Sequence, residues 1–419
     1  MLSDLQGKKI AIVGMGVNNQ ALAAYLKAKK IAFDVIEKWS TFDELTGKLA
    51  GYEIIFRTPG LPFKSPPIAD AIAKGVKVSS QTKLFFELCP APIVGVTGTK
   101  GKGTTASLIA KIIETDGKKK VWLAGNIGQD PFEFLDQIKP DDIVVLELSS
   151  FQLQDLGKSP HIAVVLNITR DHIDESKSAV RATHYSFDEY FSAKAQIVAH
   201  QNPDDFAVLS SKLPDSFNSQ GLGKKIIAEP QDAATYETKL LGRHNLENIS
   251  AAIAVAKILG IDERTTRKAV ASFEGLPYRL QVLGTFDQIR YINDGYSTNI
   301  EPVMAAVEAM DTDTILVVGG FNKHLDFSPL GELIKNSPKI KGVVAIGQET
   351  PKIVAALAGY KGKILTGASN IKEILDQAES LAHPGYTILF SPGTSSFDMF
   401  ANEKDRSEQF SREVIARHS

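Results

Sequence analysis

The stretch Ala91–Ala110, APIVGVTGTKGKGTTASLIA, places four glycines between an apolar run and a run of helical character. IVGV predicts a buried strand and TTASLIAKIIETDG predicts a helix, so the glycines form the connection between them. Bare backbone N–H groups in such a connection can approach an anion, and the following helix N-terminus adds partial positive charge. Lys102 is placed to contact phosphate oxygens as a point charge. The stretch therefore predicts a strand–loop–helix unit that binds the phosphates of ATP.

The general phosphate-loop pattern GxxxxGK[ST] is not fully met in this stretch. It requires glycine at position 96 and serine or threonine at position 103, where the chain has Val96 and Gly103. A glycine-rich connection that binds nothing is the alternative interpretation. On this pattern alone both interpretations stay open.

Composition limits the classes of protein to which the chain can belong. Its 419 residues exceed one ordinary core and predict two or three domains. With 43% hydrophobic and 23% charged residues and a net charge of −2, we expect a soluble protein without broad attraction to nucleic acid or membranes. Cys89 is the single cysteine, so a disulfide framework within the chain is excluded. The N-terminus lacks a signal-type apolar core and no apolar run approaches a membrane span, so we expect a cytoplasmic protein.

Strand and helix patterns alternate along the whole chain and predict an α/β fold with mostly parallel sheets. We predict three domains: a Rossmann-like N-terminal domain over residues 1–90, a P-loop-type ATPase domain over 91–275 and a Rossmann-like C-terminal domain over 276–419. The first domain has a glycine turn after its first strand, but the turn lacks the third glycine of GxGxxG. A dinucleotide site and an ordinary tight turn are therefore equally compatible with it.

The loop from Gly95 to Thr104 resembles that of the Mur ligase family, G-x-T-G-T-N-G-K-[ST]-[ST]. Further blocks similar to those of this family follow in the same order to the C-terminus. They are GNIG (125–128), LELSSFQL (146–153), LNITRDHID (166–174), AKA (193–195), GRHNLEN (242–248), GLPYRL (275–280), NDGYSTN (293–299), GGFNKHLDFSPL (319–330) and SPGTSSFDMF (391–400). Ordered blocks over nearly the whole chain are far more specific than any single motif.

The resemblance implies an ATP-dependent amide ligase of peptidoglycan precursor synthesis, and so a role in cell shape and division. The blocks are most similar to the branch that adds D-glutamate to UDP-N-acetylmuramoyl-L-alanine through an acyl phosphate. The implied partners are these small molecules and ATP, with no nucleic acid or membrane, and the implied state is a monomer.

The resemblance also implies the residues of the ATP and metal sites. ATP is expected at Gly98, Thr99, Lys100, Gly101, Lys102, Gly103, Thr104 and Thr105, with Asn245 and Asn248 near the adenine, Arg279 on phosphate and Asp294 on ribose. Two Mg²⁺ ions are expected at Glu147, His172, Lys194 and Thr104, with Lys194 reacting with CO₂ to form a carbamate that supplies an oxygen ligand. Lys102, His172 and Lys194 are the implied catalytic residues.

Two substrate sites complete the implied set. The UDP substrate is expected at Val17, Asn18, Glu37, Lys38, Thr58, Gly60 and Asn126, and D-glutamate at Thr298, Lys323, Ser396 and Phe397. Considered singly, each residue also has a common structural role: turn chemistry in the first domain, helix capping for the asparagines and solvent exposure for the lysines. The surrounding blocks are what favour the functional interpretation.

The chain departs from the family pattern at five positions of the expected site. Gly103 replaces a hydroxyl residue, and Lys100 replaces asparagine and adds positive charge to the loop. Gly295 and Tyr296 stand where serine and lysine are usual, and Glu403 replaces a common aromatic residue. Loss of a preorganised charge can cost a few kcal/mol of transition-state stabilisation. These changes bear on rate, metal occupancy and amino-acid choice.

Two other functions remain as alternatives. One is a ligase of this type with another amino-acid acceptor, including folylpolyglutamate synthase, although the N-terminal unit argues against the folate enzyme and the DFSPL and SFDMF blocks argue against a diamino-acid ligase. The other is a degenerate nucleotide-binding protein without catalysis, motivated by Gly103 and Tyr296. The chain retains the charged and polar residues that the family uses for catalysis, which argues against this alternative because a protein without catalysis has no chemical need for them. They are Lys102, Glu147, His172, Lys194, Arg279 and Lys323.

Overall fold

The computed structural model describes residues 2–171, 173, 183–322 and 325–419. The predicted site residues His172 and Lys323 lie outside the described residues. The described chain divides into two compact units, one of Met1–Glu237 with Leu246–Ala271 and one of Thr238–Asn245 with Ser272–Ser419. The predicted boundaries of the three domains stay predictions.

The first sheet of the first unit has four parallel strands in the order β2-β1-β3-β4. Its elements are β1 (Ile10–Val13), α1 (Val17–Ala28), β2 (Asp34–Ile36), α2 (Phe42–Lys48), β3 (Ile54–Arg57), α3 (Pro66–Ala73), β4 (Lys77–Ser80) and α4 (Gln81–Leu88). The strands β1 and β3 are buried throughout, as expected for a parallel sheet covered by helices. The carboxyl ends of all four strands meet at one edge of the sheet.

The second sheet of this unit has six parallel strands in the order β10-β9-β8-β5-β7-β6. Its strands are β5 (Ile93–Thr97), β6 (Val121–Gly125), β7 (Ile143–Glu147), β8 (Ile162–Val165), β9 (Phe206–Ser210) and β10 (Lys224–Ala228). The helices are α5 (Lys102–Asp116), α6 (Ser150–Leu153), α7 (Phe187–Ala199), α8 (His244–Ile258) and α9 (Glu263–Ser272). Because β5 lies between β7 and β8, the loops after these three strands lie side by side.

The sheet of the second unit has six strands in the order β11-β12-β16-β13-β14-β15. Its strands are β11 (Gln281–Phe286), β12 (Ile289–Asn293), β13 (Thr314–Gly319), β14 (Ile340–Ile346), β15 (Lys363–Leu365) and β16 (Thr387–Phe390). The helices are α10 (Ile300–Glu308), α11 (Ser328–Asn336), α12 (Thr350–Ala356), α13 (Ile371–Leu381) and α14 (Glu403–Arg417). Strand β11 is antiparallel to β12 and the other pairs are parallel, which confirms the mostly parallel α/β prediction.

Apolar side chains form a core on each face of the sheet of the second unit, an extended core that includes residues of both sheets of the first unit, and a further core on the other face of the first sheet. Of the described residues, no helix is both long enough and apolar enough to cross a membrane.

Candidate active site

The glycine loop between β5 and α5 has the strand–loop–helix form predicted from the sequence. Gly101 precedes the helix with φ at 85°, a left-handed conformation that favours glycine. A Cβ atom at Gly101 would lie 2.2 Å from Oδ1 of Asn248, so a side chain is also excluded there by close packing. The N–H groups of the first turn of α5, which begins at Lys102, have no acceptor within the helix. The loop thus presents the backbone donors and the lysine that phosphate binding requires.

The loop is held against the segment that follows β8. The N–H of Thr99 donates to the carbonyl of Asn167 at 2.7 Å, and the N–H of Lys100 donates to Oδ1 of Asn167 at 2.8 Å. Nδ2 of Asn167 donates in return to the carbonyl of Lys100 at 3.0 Å. The Thr99 hydroxyl lies 2.8 Å from the hydroxyl of Tyr190 and accepts the N–H of Thr169 at 2.9 Å. These bonds fix the loop before any ligand is considered.

Glu147 is the last residue of β7 and lies 3% exposed beside the glycine loop. Burial raises the pKa of its carboxyl group, while Lys102 and hydrogen bonding from Asn126 lower it. Nζ of Lys102 lies 4.0 Å from Oε1 of Glu147 and donates to the Thr99 carbonyl at 2.9 Å. The predicted residues Lys102, Asn126 and Glu147 therefore meet at one sheet edge.

Lys194 in α7 is 2% exposed and points back to the start of the glycine loop. Its Nζ donates to the carbonyl of Gly98 at 2.8 Å and lies 3.5 Å from Oγ1 of Thr97. Burial, with a smaller contribution from the charge of Lys102, lowers the pKa of Lys194 to about 7. A large part of these amino groups is therefore neutral near pH 7, and a neutral amine is a nucleophile.

The two predicted adenine-side asparagines have different surroundings. Oδ1 of Asn248 accepts the hydroxyl of Thr105 at 3.2 Å, so Asn248 supports the glycine loop. Nδ2 of Asn245 donates to the carbonyl of Leu241 at 2.7 Å, within the second unit. Their expected contact with adenine stays a prediction.

The residues expected to hold Mg²⁺ fit that ion by their chemistry. Glu147 supplies a carboxylate whose burial is costly without nearby positive charge, and Thr104 supplies a hydroxyl in the first turn of α5. A carbamate on Lys194 would add an anionic oxygen donor beside the Gly98 carbonyl. Within the described part of the chain no three His, Cys, Asp or Glu side chains group as a metal site, and His172 lies outside that part.

The residues expected to bind the UDP substrate follow three neighbouring strands of the first sheet. The segment Gly14–Asn18 follows β1, Glu37 and Lys38 follow β2, and Thr58–Gly60 follows β3. Thr58 packs so closely on Gly14 that a Cβ atom at Gly14 would lie 2.9 Å from its methyl group. Val17 is 77% exposed, and Glu37 and Lys38 are exposed. The seventh predicted residue, Asn126, follows β6 of the second sheet.

Asp294 occupies the centre of a network in the second unit. It is 5% exposed and accepts the N–H of Leu280 at 3.1 Å, the hydroxyl of Ser391 at 2.7 Å and the hydroxyl of Ser297. Burial raises the pKa of its carboxyl group. Asp294 therefore fixes the turn that carries Arg279, a residue whose exposed guanidinium lies 5.8 Å from the ring centre of Tyr296.

The segments expected to hold D-glutamate are joined by a buried arginine. Arg406 in α14 is 1% exposed and donates to the carbonyl of Gly295 at 2.9 Å and of Thr394 at 3.0 Å. The hydroxyl of Ser396 is buried without a hydrogen-bond partner among the described residues, whereas Phe397 is 61% exposed. Thr298 is half-buried in the segment after β12. A Cβ atom at Gly295 would lie 2.2 Å from Oγ of Ser407, so packing against α14 accounts for this departure from the family pattern.

Sequence reasoning missed several residues that shape these sites. They are Thr97, Asn167, Thr169, Tyr190 and Arg406. The position of Asn167, two residues after the buried strand β8, is a signal that could have indicated it. Arg406 has no local signal, because it is one charged residue of a polar helix and its burial depends on the fold.

Known protein families and individual proteins are similar to this chain. Two family models match the chain: the Mur ligase middle domain over residues 96–220 and the Mur ligase glutamate ligase domain over residues 278–393. A UDP-N-acetylmuramoylalanine–D-glutamate ligase of Symbiobacterium thermophilum is 32% identical over 98% of both chains. The protein of that name from Acetivibrio thermocellus is 31% identical over 98% of this chain and 97% of its own.

Solved structures share the fold at low identity. A UDP-N-acetylmuramate–alanine ligase of Thermotoga maritima superposes with a TM-score of 0.61 at 16% identity, covering 98% of this chain and all of that chain. A MurF ligase of the same organism, solved in complex with ADP, gives 0.59 at 17% identity, covering 100% of this chain and 97% of that chain. The match to the relatives over nearly the full length shows that this chain belongs to the Mur ligase family.

Proposed function

We propose that this chain is an ATP-dependent ligase that joins D-glutamate to UDP-N-acetylmuramoyl-L-alanine in peptidoglycan precursor synthesis. The observation that carries the proposal is the meeting of Lys102, Glu147 and Lys194 at the mouth of the glycine loop. Lys102 supplies positive charge for the phosphates, and the buried carboxylate of Glu147 beside the buried amine of Lys194 suits a bound metal ion, which together favour transfer of a phosphoryl group between anions.

The reaction has two steps that conserve atoms and charge. A carboxylate oxygen of the UDP substrate attacks the γ-phosphorus of ATP, the bond to the bridging oxygen breaks and ADP leaves. The amine nitrogen of D-glutamate then attacks the acyl carbon, the bond to the phosphate oxygen breaks, and the nitrogen loses a proton. Lys102 and the N–H groups at the start of α5 hold the phosphates and offset their charge.

Glu147, Thr104 and the predicted ligand His172 would hold Mg²⁺, which would offset the negative charge of the phosphates. Carbamylation of Lys194 belongs to the same proposal: its neutral amine attacks the carbon of CO₂ and loses a proton, which leaves an N-carboxylate. Its burial and the lowered pKa of its amino group support this reaction. Exclusion of bulk water at such a site also protects an acyl phosphate from hydrolysis.

Substrate binding completes the proposal. We assign the carboxyl edge of the first sheet to the UDP end of the substrate and Thr298, Lys323, Ser396 and Phe397 to D-glutamate. The buried, unpartnered hydroxyl of Ser396 and the nearby Arg406 support an anionic ligand there. The enzyme is proposed to act as a cytoplasmic monomer, which light scattering and cell fractionation test.

The function is tested by phosphate release from ATP with UDP-N-acetylmuramoyl-L-alanine and a panel of amino acids. Strict dependence on D-glutamate supports the proposal. Dependence on L-glutamate or another amino acid instead identifies a ligase with a different acceptor. ATP binding without phosphate release under any acceptor identifies a nucleotide-binding protein without catalysis and contradicts the proposal.

A further inference from the structure

We propose that Arg57 and Asp155 form a positioning pair that fixes the 58–61 loop against the segment following Glu147. The inference rests on the proposed function, which assigns this loop to the UDP end of the substrate and Glu147 to the phosphoryl-transfer end. No motif of the sequence analysis involves either residue.

The pair is a buried, two-point ion pair between residues 98 positions apart. Nη2 of Arg57 donates to Oδ1 of Asp155 at 2.7 Å, and Nε donates to Oδ2 at 3.2 Å. The side chains are 0% and 1% exposed. A guanidinium group can donate two parallel hydrogen bonds to one carboxylate, which a lysine cannot do. The contact therefore fixes the relative orientation of the two side chains as well as neutralising their charges.

The remaining donors of Arg57 bind backbone on both sides of the pair. Nη1 donates to the carbonyl of Leu61 at 2.8 Å and to that of Thr58 at 3.3 Å. Nη2 donates to the carbonyl of Phe151 in α6 at 2.7 Å. One side chain therefore holds the loop after β3 and the helix after β7.

The segment reached by Arg57 begins directly at the phosphoryl-transfer site. Ser149 and Gln152 form a capping box at the start of α6, two residues after Glu147. Oε1 of Gln154 accepts the N–H of Phe63 at 3.2 Å, which ties the same two segments a second time. A substrate anchored at its UDP end must place its far carboxylate at the nucleotide, and small displacements of such an anchor reduce rate and affinity.

The test compares Asp155→Asn with Asp136→Asn as a matched control. Asp136 also connects the regions of the two sheets, because it forms an ion pair with Lys29 at 2.8 Å. That pair is exposed and does not involve the 58–61 loop. We expect Asp155→Asn to raise the KM for the UDP substrate about tenfold and to leave the KM for ATP within about twofold of wild type. The control is expected to change neither constant. If the two variants had the same KM for the UDP substrate, the inference would be overturned.

Removing one partner leaves a buried charge unpaired and can unfold the protein, so a second variant is needed. The double replacement Arg57→Met with Asp155→Leu removes both charges and keeps apolar volume, which preserves folding better than either single change. A positioning role predicts a folded protein with a raised KM for the UDP substrate and a kcat closer to wild type. A folded double variant with unchanged KM shows that the pair acts on stability alone and overturns the inference.

Amide hydrogen exchange separates this inference from the proposed function. Asp155→Asn is expected to accelerate exchange in residues 58–63 and 149–155 together, with or without substrate, because one guanidinium holds both segments. If the wild-type protein failed to bind the UDP substrate, the proposed function would fail while this result still decided the coupling. Unchanged exchange in either segment overturns the inference.

Discussion

Lys194 in the first unit and Arg406 in the second are two buried cations with similar surroundings and different chemical outcomes. Each is at most 2% exposed and donates to backbone carbonyls: Lys194 to Gly98, and Arg406 to Gly295 and Thr394. Among the described residues, neither has a carboxylate within ion-pair distance. Burial lowers the pKa of Lys194 to about 7 and the pKa of Arg406 to about 10.

The difference shows that desolvation lowers the pKa of both cations, but only Lys194 loses its charge near pH 7 and becomes reactive, whereas Arg406 stays charged. Lysine starts from a pKa of 10.5, so burial brings it within reach of deprotonation at pH 7. Arginine starts from 12.5 and stays charged after a similar loss of solvent. The first unit thus contains a cation that can become a nucleophile, and the second contains one that holds two loops.

The largest effect is expected from Lys194→Ala, which tests whether Lys194 is the reactive member of the two buried cations. We expect turnover to fall about 10²–10³-fold, because a preorganised charged ligand is lost, and to recover partly with formate or acetate, which replace the carbamate oxygens. Phosphate release measures both. Lys225→Ala is the control, since Lys225 is a half-buried lysine in the edge strand β10 and, like Lys194, donates to a backbone carbonyl. A folded Lys194→Ala protein that small acids do not rescue counts against the carbamate.

Arg406→Lys tests the structural half. We expect the KM for D-glutamate to rise about tenfold, because one ammonium group cannot reproduce a two-carbonyl fork, and the free energy of unfolding to fall by about 1–3 kcal/mol. Substrate titration and urea unfolding measure the two quantities. Arg417→Lys is the control on the same helix, where the arginine binds Glu379 and Glu413 away from these loops. If both variants raised the KM equally, Arg406 would have no special role in holding the loops.

The pH profile of turnover separates the two cations within one protein. With saturating substrates and constant dissolved CO₂, the neutral form of Lys194 increases as pH rises through its pKa of about 7. Because forming the carbamate from the ammonium form of Lys194 releases two protons, we expect kcat to fall by more than about tenfold per pH unit below pH 7, and to level off only where carbamylation is complete. Arg406 stays charged over this range and adds no second step. A kcat that is constant from about pH 5.5 to 8 contradicts a reactive Lys194.

The smallest effect is on stability. The folded pKa of Lys194 is depressed from 10.5 to about 7, so the unfolded chain binds more protons than the folded chain between these values. Stability from this group therefore increases with pH across that window, and its cost is complete below pH 7. Lys194→Met is expected to raise the free energy of unfolding by about 1–2 kcal/mol at pH 6 and by less at pH 9. Urea unfolding in CO₂-free buffer measures the free energy of unfolding, with Lys225→Met for comparison. An equal increase at pH 6 and pH 9 would show that the buried charge of Lys194 is not the cause.

The fold class was predictable from the sequence because strand and helix patterns have different periods. The glycine loop and β7 ending at Glu147 follow from local residues, and the structure places Lys102, Asn126, Glu147 and Lys194 around that loop. Strand β11 has no buried-strand pattern in its sequence, since its burial is incomplete and its only partner, among the described strands, is the antiparallel β12. The ligand contacts of these residues stay predictions.

The sequence by itself predicted the alternation of strands and helices, the glycine loop between β5 and α5 and the residue types expected at the site. Only the tertiary structure decided which charges are solvated, which are buried alone and which are paired, as with Arg57 and Asp155. The physical reason is that secondary structure follows from neighbours along the chain, whereas desolvation and ion pairing depend on groups brought together from distant positions.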